Sequence, residues 1–142
     1  MNDCVSNVCQ PFSEHVHLVI QVCVAVFFAI LFLQSGLDKI SDRKGNLAWM
    51  NPHFQHSPLK NAVPLLLSVL TLMEISTGLL NVAGIIILFV KHCDLWLFWG
   101  STFAAVSLIA LFAGQRMAKD YAGAQSLVSY FILSLIGIWL CG

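Results

Sequence analysis

Four long apolar segments alternate with polar connections along this chain. The segments lie at about 16–37, 64–89, 95–114 and 121–141. Each is close to the roughly 20 residues that an α-helix needs to cross the hydrocarbon core of a bilayer. The connections after the second and third segments are short, which makes neighbouring helices antiparallel. The pattern therefore predicts an all-α integral membrane four-helix bundle, formed by a single transmembrane domain over residues 1–142.

The connection between the first two spans is the longest polar section of the chain, DKISDRKGNLAWMNPHFQHSPLKNAV. It still contains apolar side chains, among them Trp49, together with several lysines. Trp and Lys both favour the headgroup layer of a membrane. We therefore expect an interfacial helix or a half-embedded hairpin here rather than a free loop.

The composition agrees with a membrane protein. Hydrophobic residues make up 58% of the chain and charged residues 10%, and the mean hydropathy is +0.83. In a soluble domain about a quarter of the residues are charged. The formal net charge is zero, and no basic stripe is available to neutralise phosphates, so no nucleic-acid partner is expected. The lipid bilayer is the first partner that the sequence predicts.

The distribution of Lys and Arg predicts the orientation of the bundle. Only Lys91 follows the second span, whereas all the others follow the first or the third. Positive residues accumulate on the cytoplasmic side of a membrane. Both termini are therefore predicted to lie outside the cytoplasm, in a multi-pass protein of the inner (cytoplasmic) membrane. The residues on the predicted cytoplasmic side are Lys39, Arg43, Lys44, Lys60, Arg116 and Lys119.

Glu74 is the only carboxylic acid within the second span. An ionisable residue there is costly and by default marks a functional or interaction site. At about 100° per residue, four polar or small residues fall within about 60° of Glu74, namely Thr71, Thr77, Gly78 and Asn81. We expect this polar stripe to face the bundle interior. Two interpretations of Glu74 stay open: a buried hydrogen-bonded tie between helices, which we prefer, and a catalytic proton-relay or quinone-site carboxyl.

Lys39 is the obvious cationic partner for Glu74, but it follows the predicted end of the first span. We therefore expect it to lie nearer the membrane surface, beyond the reach of Glu74, with Gln34 and Ser35 closer in depth. The residues that we consider for binding a quinone or another substrate are Lys39, Trp49, Gln34 and Asn81.

Four cysteines lie on the predicted outer side, namely Cys4, Cys9, Cys93 and Cys141. An oxidising compartment permits disulfides between them, and the sequence leaves all three pairings open. His53 and His56 have a spacing that suits a metal on a helix. Prolines bracket them and no cysteine or carboxylate lies close by, so no metal site is expected.

Several motifs resemble the DoxX-like family of small four-helix integral membrane proteins. The segment FLQSGLDKI at 32–40 resembles the F-x-x-S/A-G-x-x-K motif that ends the first helix of this family. Trp49, Pro64 and the residues from Glu74 to Gly84 look like its second-helix pattern, and QRMAKDYAGA at 115–124 resembles a loop of a bacterial branch. The match covers nearly the whole chain, although the acidic, cysteine-bearing start departs from the usual basic one.

The resemblance implies a four-helix membrane fold in which the polar family positions correspond to Gly36, Lys39, Trp49 and Glu74. Some family members are similar to the membrane subunit of thiosulfate:quinone oxidoreductase. Others look like partners in membrane-associated redox complexes or like assembly factors.

Our leading functional hypothesis is an accessory or anchoring subunit of a larger, redox-linked membrane complex. Its partners would be other membrane or periplasmic subunits, and the chain would not be catalytic alone. The hypothesis rests on the small size and on the absence of nucleophile, phosphate-loop and paired-carboxylate motifs. One alternative is a quinone-interacting oxidoreductase subunit that uses Glu74, with quinone as the cofactor. The other is a small transporter with Glu74 as the coupling carboxyl, although the sequence shows no inverted repeat.

Overall fold

The computed structural model describes the backbone of residues 2–55 and 61–142, and the side chains of residues 14–55 and 61–142. Within these residues all the regular secondary structure is helical, and there is no strand. The five helices are α1 (Asn2–Ser41), α2 (Arg43–Phe54), α3 (Val63–Lys91), α4 (Leu95–Met117) and α5 (Tyr121–Cys141).

Four of these helices are long and apolar enough to cross a membrane. They are residues Glu14–Ser41 of α1, together with α3, α4 and α5. Large apolar side chains such as Leu72 (69% exposed) and Trp139 (77% exposed) point away from the bundle, where the lipid would lie. The predicted all-α four-helix membrane bundle is therefore confirmed, and the chain is a multi-pass membrane protein.

The first span is longer than the predicted segment at 16–37, because α1 continues through the polar residues that follow it. Gly36 lies within α1 and packs closely on α3. A Cβ atom on Gly36 would stand 2.6 Å from Ile75 Cδ1. The helix ends at Ser41, and the carboxylate of Asp42 accepts a hydrogen bond of 3.0 Å from the backbone N–H of Gly45. A carboxylate in this position stabilises the start of a helix, so the chain turns directly from α1 into α2.

The helix α2 forms the predicted interfacial segment and packs on the start of α3. Met50 and Phe54 are buried against Val63 and Leu67. Trp49, on a neighbouring face of α2, is 57% exposed. We call the end of the bundle that carries α2 the α2 end, and the opposite end, at which Glu14 and Cys141 lie, the terminal end.

The four spanning helices pack in chain order. α1 lies along α3, α3 along α4 and α4 along α5, whereas α5 meets α1 over a much smaller area. Glycines bring the first three pairs close together, as small residues do in membrane proteins. A Cβ atom on Gly78 would meet Leu33, one on Gly84 would meet Leu97, and one on Gly137 would meet Ser101.

Positive residues gather at the α2 end, as the sequence predicts. Lys91 lies at the terminal end, and Lys60 lies outside the described residues. The described positive residues of the α2 end are Lys39, Arg43, Lys44, Arg116 and Lys119.

Candidate functional site

A direct ion pair between Glu74 and Lys39 lies inside the bundle. The Nζ atom of Lys39 stands 3.0 Å from Oε1 and 2.9 Å from Oε2 of Glu74. Ser35 Oγ donates a hydrogen bond of 3.1 Å to Oε1 and accepts one of 2.8 Å from Lys39 Nζ. The Glu74 side chain is 1% exposed and that of Lys39 is 17% exposed. The three side chains form a closed polar cluster that ties α1 to α3.

The expectation that Lys39 lies out of reach of Glu74 is wrong. The contact between Gly36 and Ile75 fixes the register of α1 against α3. Lys39 lies three residues beyond Gly36 toward the α2 end, and Glu74 lies one residue beyond Ile75 in the same direction. The offset along the bundle is therefore only about 3 Å, which the four-carbon stem of a lysine spans.

The polar stripe on α3 faces the interior, as predicted. All of its members are buried. On the terminal side of Glu74, Thr77 and Asn81 make hydrogen bonds within the bundle. Thr77 Oγ1 lies 3.0 Å from Ser107 Oγ on α4, and Asn81 Nδ2 donates to Thr77 O at 2.9 Å. The Asn81 Oδ1 atom is buried and accepts no hydrogen bond from the described residues.

Sequence analysis did not single out Ser107, although a signal for it exists. Gly100, Ala104 and Ser107 follow one another at helical i, i+4, i+7 spacing, so they share one face of α4. All three are buried. A stripe of small residues on α4 therefore lies opposite the polar stripe of α3.

A pocket of about 210 Å³, which we call the α2 pocket, lies beside the ion pair at the α2 end. Lys39 lines it from α1, Trp49 and His53 from α2, Leu70 from α3 and Gln115 from α4. The rings of Trp49 and His53 are stacked, with their centroids 4.1 Å apart. The pocket thus combines an aromatic surface with polar groups.

The polar groups of the α2 pocket include both donors and acceptors. His53 Nδ1 lies 2.8 Å from the backbone oxygen of Trp49. Because that oxygen only accepts, Nδ1 carries the proton and Nε2 of the neutral ring is an acceptor. Gln115 Oε1 is a buried acceptor without a hydrogen bond from the described residues. Lys39, which lines the pocket from α1, supplies a donor with its Nζ atom.

A second cavity, of about 90 Å³, lies on the other side of Glu74 between α1 and α5. Leu31 and Ser35 line it from α1, and Leu127 and Tyr130 line it from α5. Leu111 of α4 lines both cavities. The ion pair therefore stands between two neighbouring cavities, which share a wall.

The structure brings some of the predicted site residues together and separates others. Lys39 and Trp49 line the same pocket. Gln34 is exposed on the face of α1 that points away from the bundle, and it lines neither cavity beside the ion pair. Asn81 is buried two helical turns from Glu74 and also lines neither cavity. Gln115 and His53, which the sequence did not assign to a binding site, complete the pocket.

The predicted cysteine and histidine sites are only partly within the described residues. Cys93 and Cys141 are free thiols and form no disulfide with each other. The side chains of Cys4 and Cys9, and the whole of His56, lie outside the described residues. Among the side chains that the structure describes, no three His, Cys, Asp or Glu residues come together as a metal site.

Fold and site together define a four-span helical membrane protein with a buried Lys–Glu pair next to an interfacial pocket. Comparison of the chain with protein-family models, with curated proteins and with solved structures found no match. The resemblance to the DoxX-like family therefore stays a prediction from its sequence motifs.

Proposed function

We propose that this chain is the ligand-binding subunit of a redox-linked membrane complex, and that its α2 pocket holds the head group of a quinone. The observation that supports this most is the lining of the pocket. It joins Lys39, whose ammonium is fixed by the buried Glu74, to the aromatic stack of Trp49 and His53.

The residues present fit a quinone head. Such a head is planar, and the aromatic rings of α2 offer it a flat surface. Its carbonyl oxygens accept hydrogen bonds, and Lys39 Nζ can donate one of them by exchanging its long contact of 3.4 Å with the backbone oxygen of Ser35. In the reduced form its hydroxyl groups donate, and Gln115 Oε1 and His53 Nε2 are the acceptors. A Cβ atom on Gly114, which also lines the pocket, would meet no atom within 4 Å, so the pocket has room beside α4.

The quinone would supply the redox chemistry, and the chain would bind and orient it. Lys39 would fix a head-group oxygen, and Glu74 would hold the Lys39 ammonium in place. Of the five described helices, α2, with 12 residues, is the one that is not a span. The described part of the chain therefore offers little protein outside the spans to hold a second redox group, and we assign the exchange of electrons with the quinone to a partner, another membrane or periplasmic protein.

Trp49→Leu is expected to weaken quinone binding about tenfold, because it removes the stacking surface. Trp49 is 57% exposed, so the fold should tolerate the change. The measurement is equilibrium binding of a radiolabelled benzoquinone to the protein in lipid nanodiscs. The matched control is Trp96→Leu, which removes a tryptophan of 43% exposure at the terminal end.

The control variant should bind like the original protein. Equal binding by both variants would contradict the assignment of the α2 pocket. If the original protein binds no quinone, the accessory or anchoring role and the small transporter are the hypotheses that remain.

We also propose that both termini lie outside the cytoplasm of the inner membrane. In a variant whose only cysteine is Cys93, between α3 and α4, a membrane-impermeant maleimide added to cells with an intact inner membrane should label the thiol. The Lys119→Cys variant of a cysteine-free chain places its thiol in the exposed turn between α4 and α5. It should be labelled only after the cells are opened. The reverse pattern would invert the orientation.

A further inference from the structure

Toward the terminal end, α1 and α5 are joined by several direct contacts. There Gln21 Nε2 donates a hydrogen bond of 2.8 Å to the backbone oxygen of Leu140. One turn further, Gly137 lies so close to α1 that a Cβ atom on it would stand 3.1 Å from Val24 Cγ1. Phe27 and Tyr130 are the next contact, with ring centroids 5.8 Å apart.

Beyond Tyr130, toward the α2 end, the smaller cavity takes the place of contact between the two helices. Its walls are Leu31 and Ser35 of α1 and Leu127 and Tyr130 of α5, and Glu74 forms part of its inner surface. We call this space the α1–α5 cleft. Its lining is mostly apolar. The polar side chains in it are Tyr130, Ser35 and Glu74, and the last two form the cluster with Lys39.

The α1–α5 cleft and the α2 pocket are neighbours. Leu111 lines both, Lys39 lines the pocket and Glu74 lines the cleft, so Leu111 and the ion pair stand between the two spaces. On its other side, the α2 pocket is covered by α2, which Met50 and Phe54 fix to α3. An apolar chain attached to a head group in the α2 pocket would reach the cleft, and the hydrocarbon beyond it, by displacing the Leu111 side chain.

We propose that the ligand is a long-chain amphiphile whose polar head occupies the α2 pocket and whose apolar chain passes through the α1–α5 cleft into the bilayer. This inference rests on the proposed function, because it takes the quinone head as given and adds the chain. The ligand then enters from within the bilayer, between α1 and α5. Small water-soluble quinones without a chain use only the α2 pocket.

Leu31→Trp narrows the cleft, whereas Ile30→Trp makes the same kind of change one residue away. Ile30 is 60% exposed and points toward the lipid. Binding of two probes to each variant is measured in nanodiscs: decyl-benzoquinone, and a benzoquinone that carries only a methyl group. Leu31→Trp is expected to weaken binding of the decyl probe about tenfold and to leave binding of the methyl probe unchanged. Ile30→Trp should leave both unchanged.

If Leu31→Trp weakened binding of both probes equally, or of neither, the cleft would be overturned as the place of the chain. The proposed function would stay intact in that case, provided that the methyl probe still binds the original protein. Failure of both probes to bind the original protein would remove the proposed function itself.

A second measurement does not depend on how the variant folds. A decyl-benzoquinone with a diazirine midway along its chain is irradiated with the original protein, and the labelled residues are identified by tandem mass spectrometry. Labelling is expected at Leu31, Leu127 and the residues beside them. Labelling spread over lipid-exposed residues such as Leu72 and Trp139 would contradict the proposal.

Discussion

Replacing Lys39 by methionine is expected to lower the free energy of unfolding by about 3 kcal/mol, because it leaves a buried carboxylate without its positive partner. Methionine keeps much of the apolar length of lysine, so the main change is the loss of the ammonium. Glu74 is 1% exposed, and a carboxylate in that position must either stay charged at high cost or take up a proton. Reversible unfolding in mixed micelles of increasing denaturing detergent measures the loss.

The opposite replacement, Glu74→Gln, should cost less, about 1 kcal/mol. Lys39 is 17% exposed, and its flexible stem allows the ammonium to turn toward the headgroup layer. The glutamine side chain also keeps an acceptor for Ser35 Oγ. The double variant Lys39→Met/Glu74→Gln should be less damaged than the sum of the two single variants, because the partners are in contact. Equal and additive losses would show that the pair contributes nothing as a pair.

Gly78→Val is expected to destabilise the protein by about 3 kcal/mol by overfilling the contact between α1 and α3. A Cβ atom at Gly78 would stand 2.6 Å from Leu33 Cγ and 3.1 Å from the Leu33 backbone nitrogen. The leucine side chain can turn away, but the backbone can move only if α1 separates from α3. Such a separation also pulls Lys39 away from Glu74, so the variant should lose quinone binding as well.

Gly114→Val provides the matched control for the loss of stability alone, since Gly114 lines the α2 pocket and a valine there can itself affect quinone binding. It places the same side chain on a helical glycine where a Cβ atom would meet no atom within 4 Å. Its unfolding free energy should stay within about 0.5 kcal/mol of the original protein. If the two glycine variants were equally stable, the close approach of α1 and α3 at Gly78 would be contradicted.

The sequence was sufficient for the number and approximate position of the spans and for the direction of the polar stripe, but not for the ends of α1 and α4. Long apolar runs determine the length of a membrane helix, and the spacing of Thr71, Glu74 and Asn81 places them on one face. Both properties belong to a single helix. They can therefore be predicted without knowledge of its neighbours.

The contact between Lys39 and Glu74 depends on two helices, and this is why the prediction about it failed. Its geometry follows from the register of α1 against α3, which is fixed where Gly36 meets Ile75 and where Gly78 meets Leu33. Hydropathy reports how far a residue lies from the end of its own span, but not which residue of another span it faces.

The α2 pocket likewise depends on how several helices face each other, and not on one helix alone. Gln34 and Ser35 are neighbours in sequence, yet a step of about 100° directs one away from the bundle and the other toward Glu74. Gln115 appeared to belong to a short connection after the third span. It joins the site because α4 continues to Met117 and keeps Gln115 on the face toward the pocket.

The closeness of the two charges at the site has an electrical consequence. A single charge moved across the whole membrane gains or loses about 2.3 kcal/mol for every 100 mV of membrane potential. Lys39 and Glu74 lie only about 3 Å apart, and together they carry no net charge whether the shared proton rests on the amine or on the carboxylate. The membrane potential therefore has no net charge to move at this pair, in an energised or in a depolarised membrane.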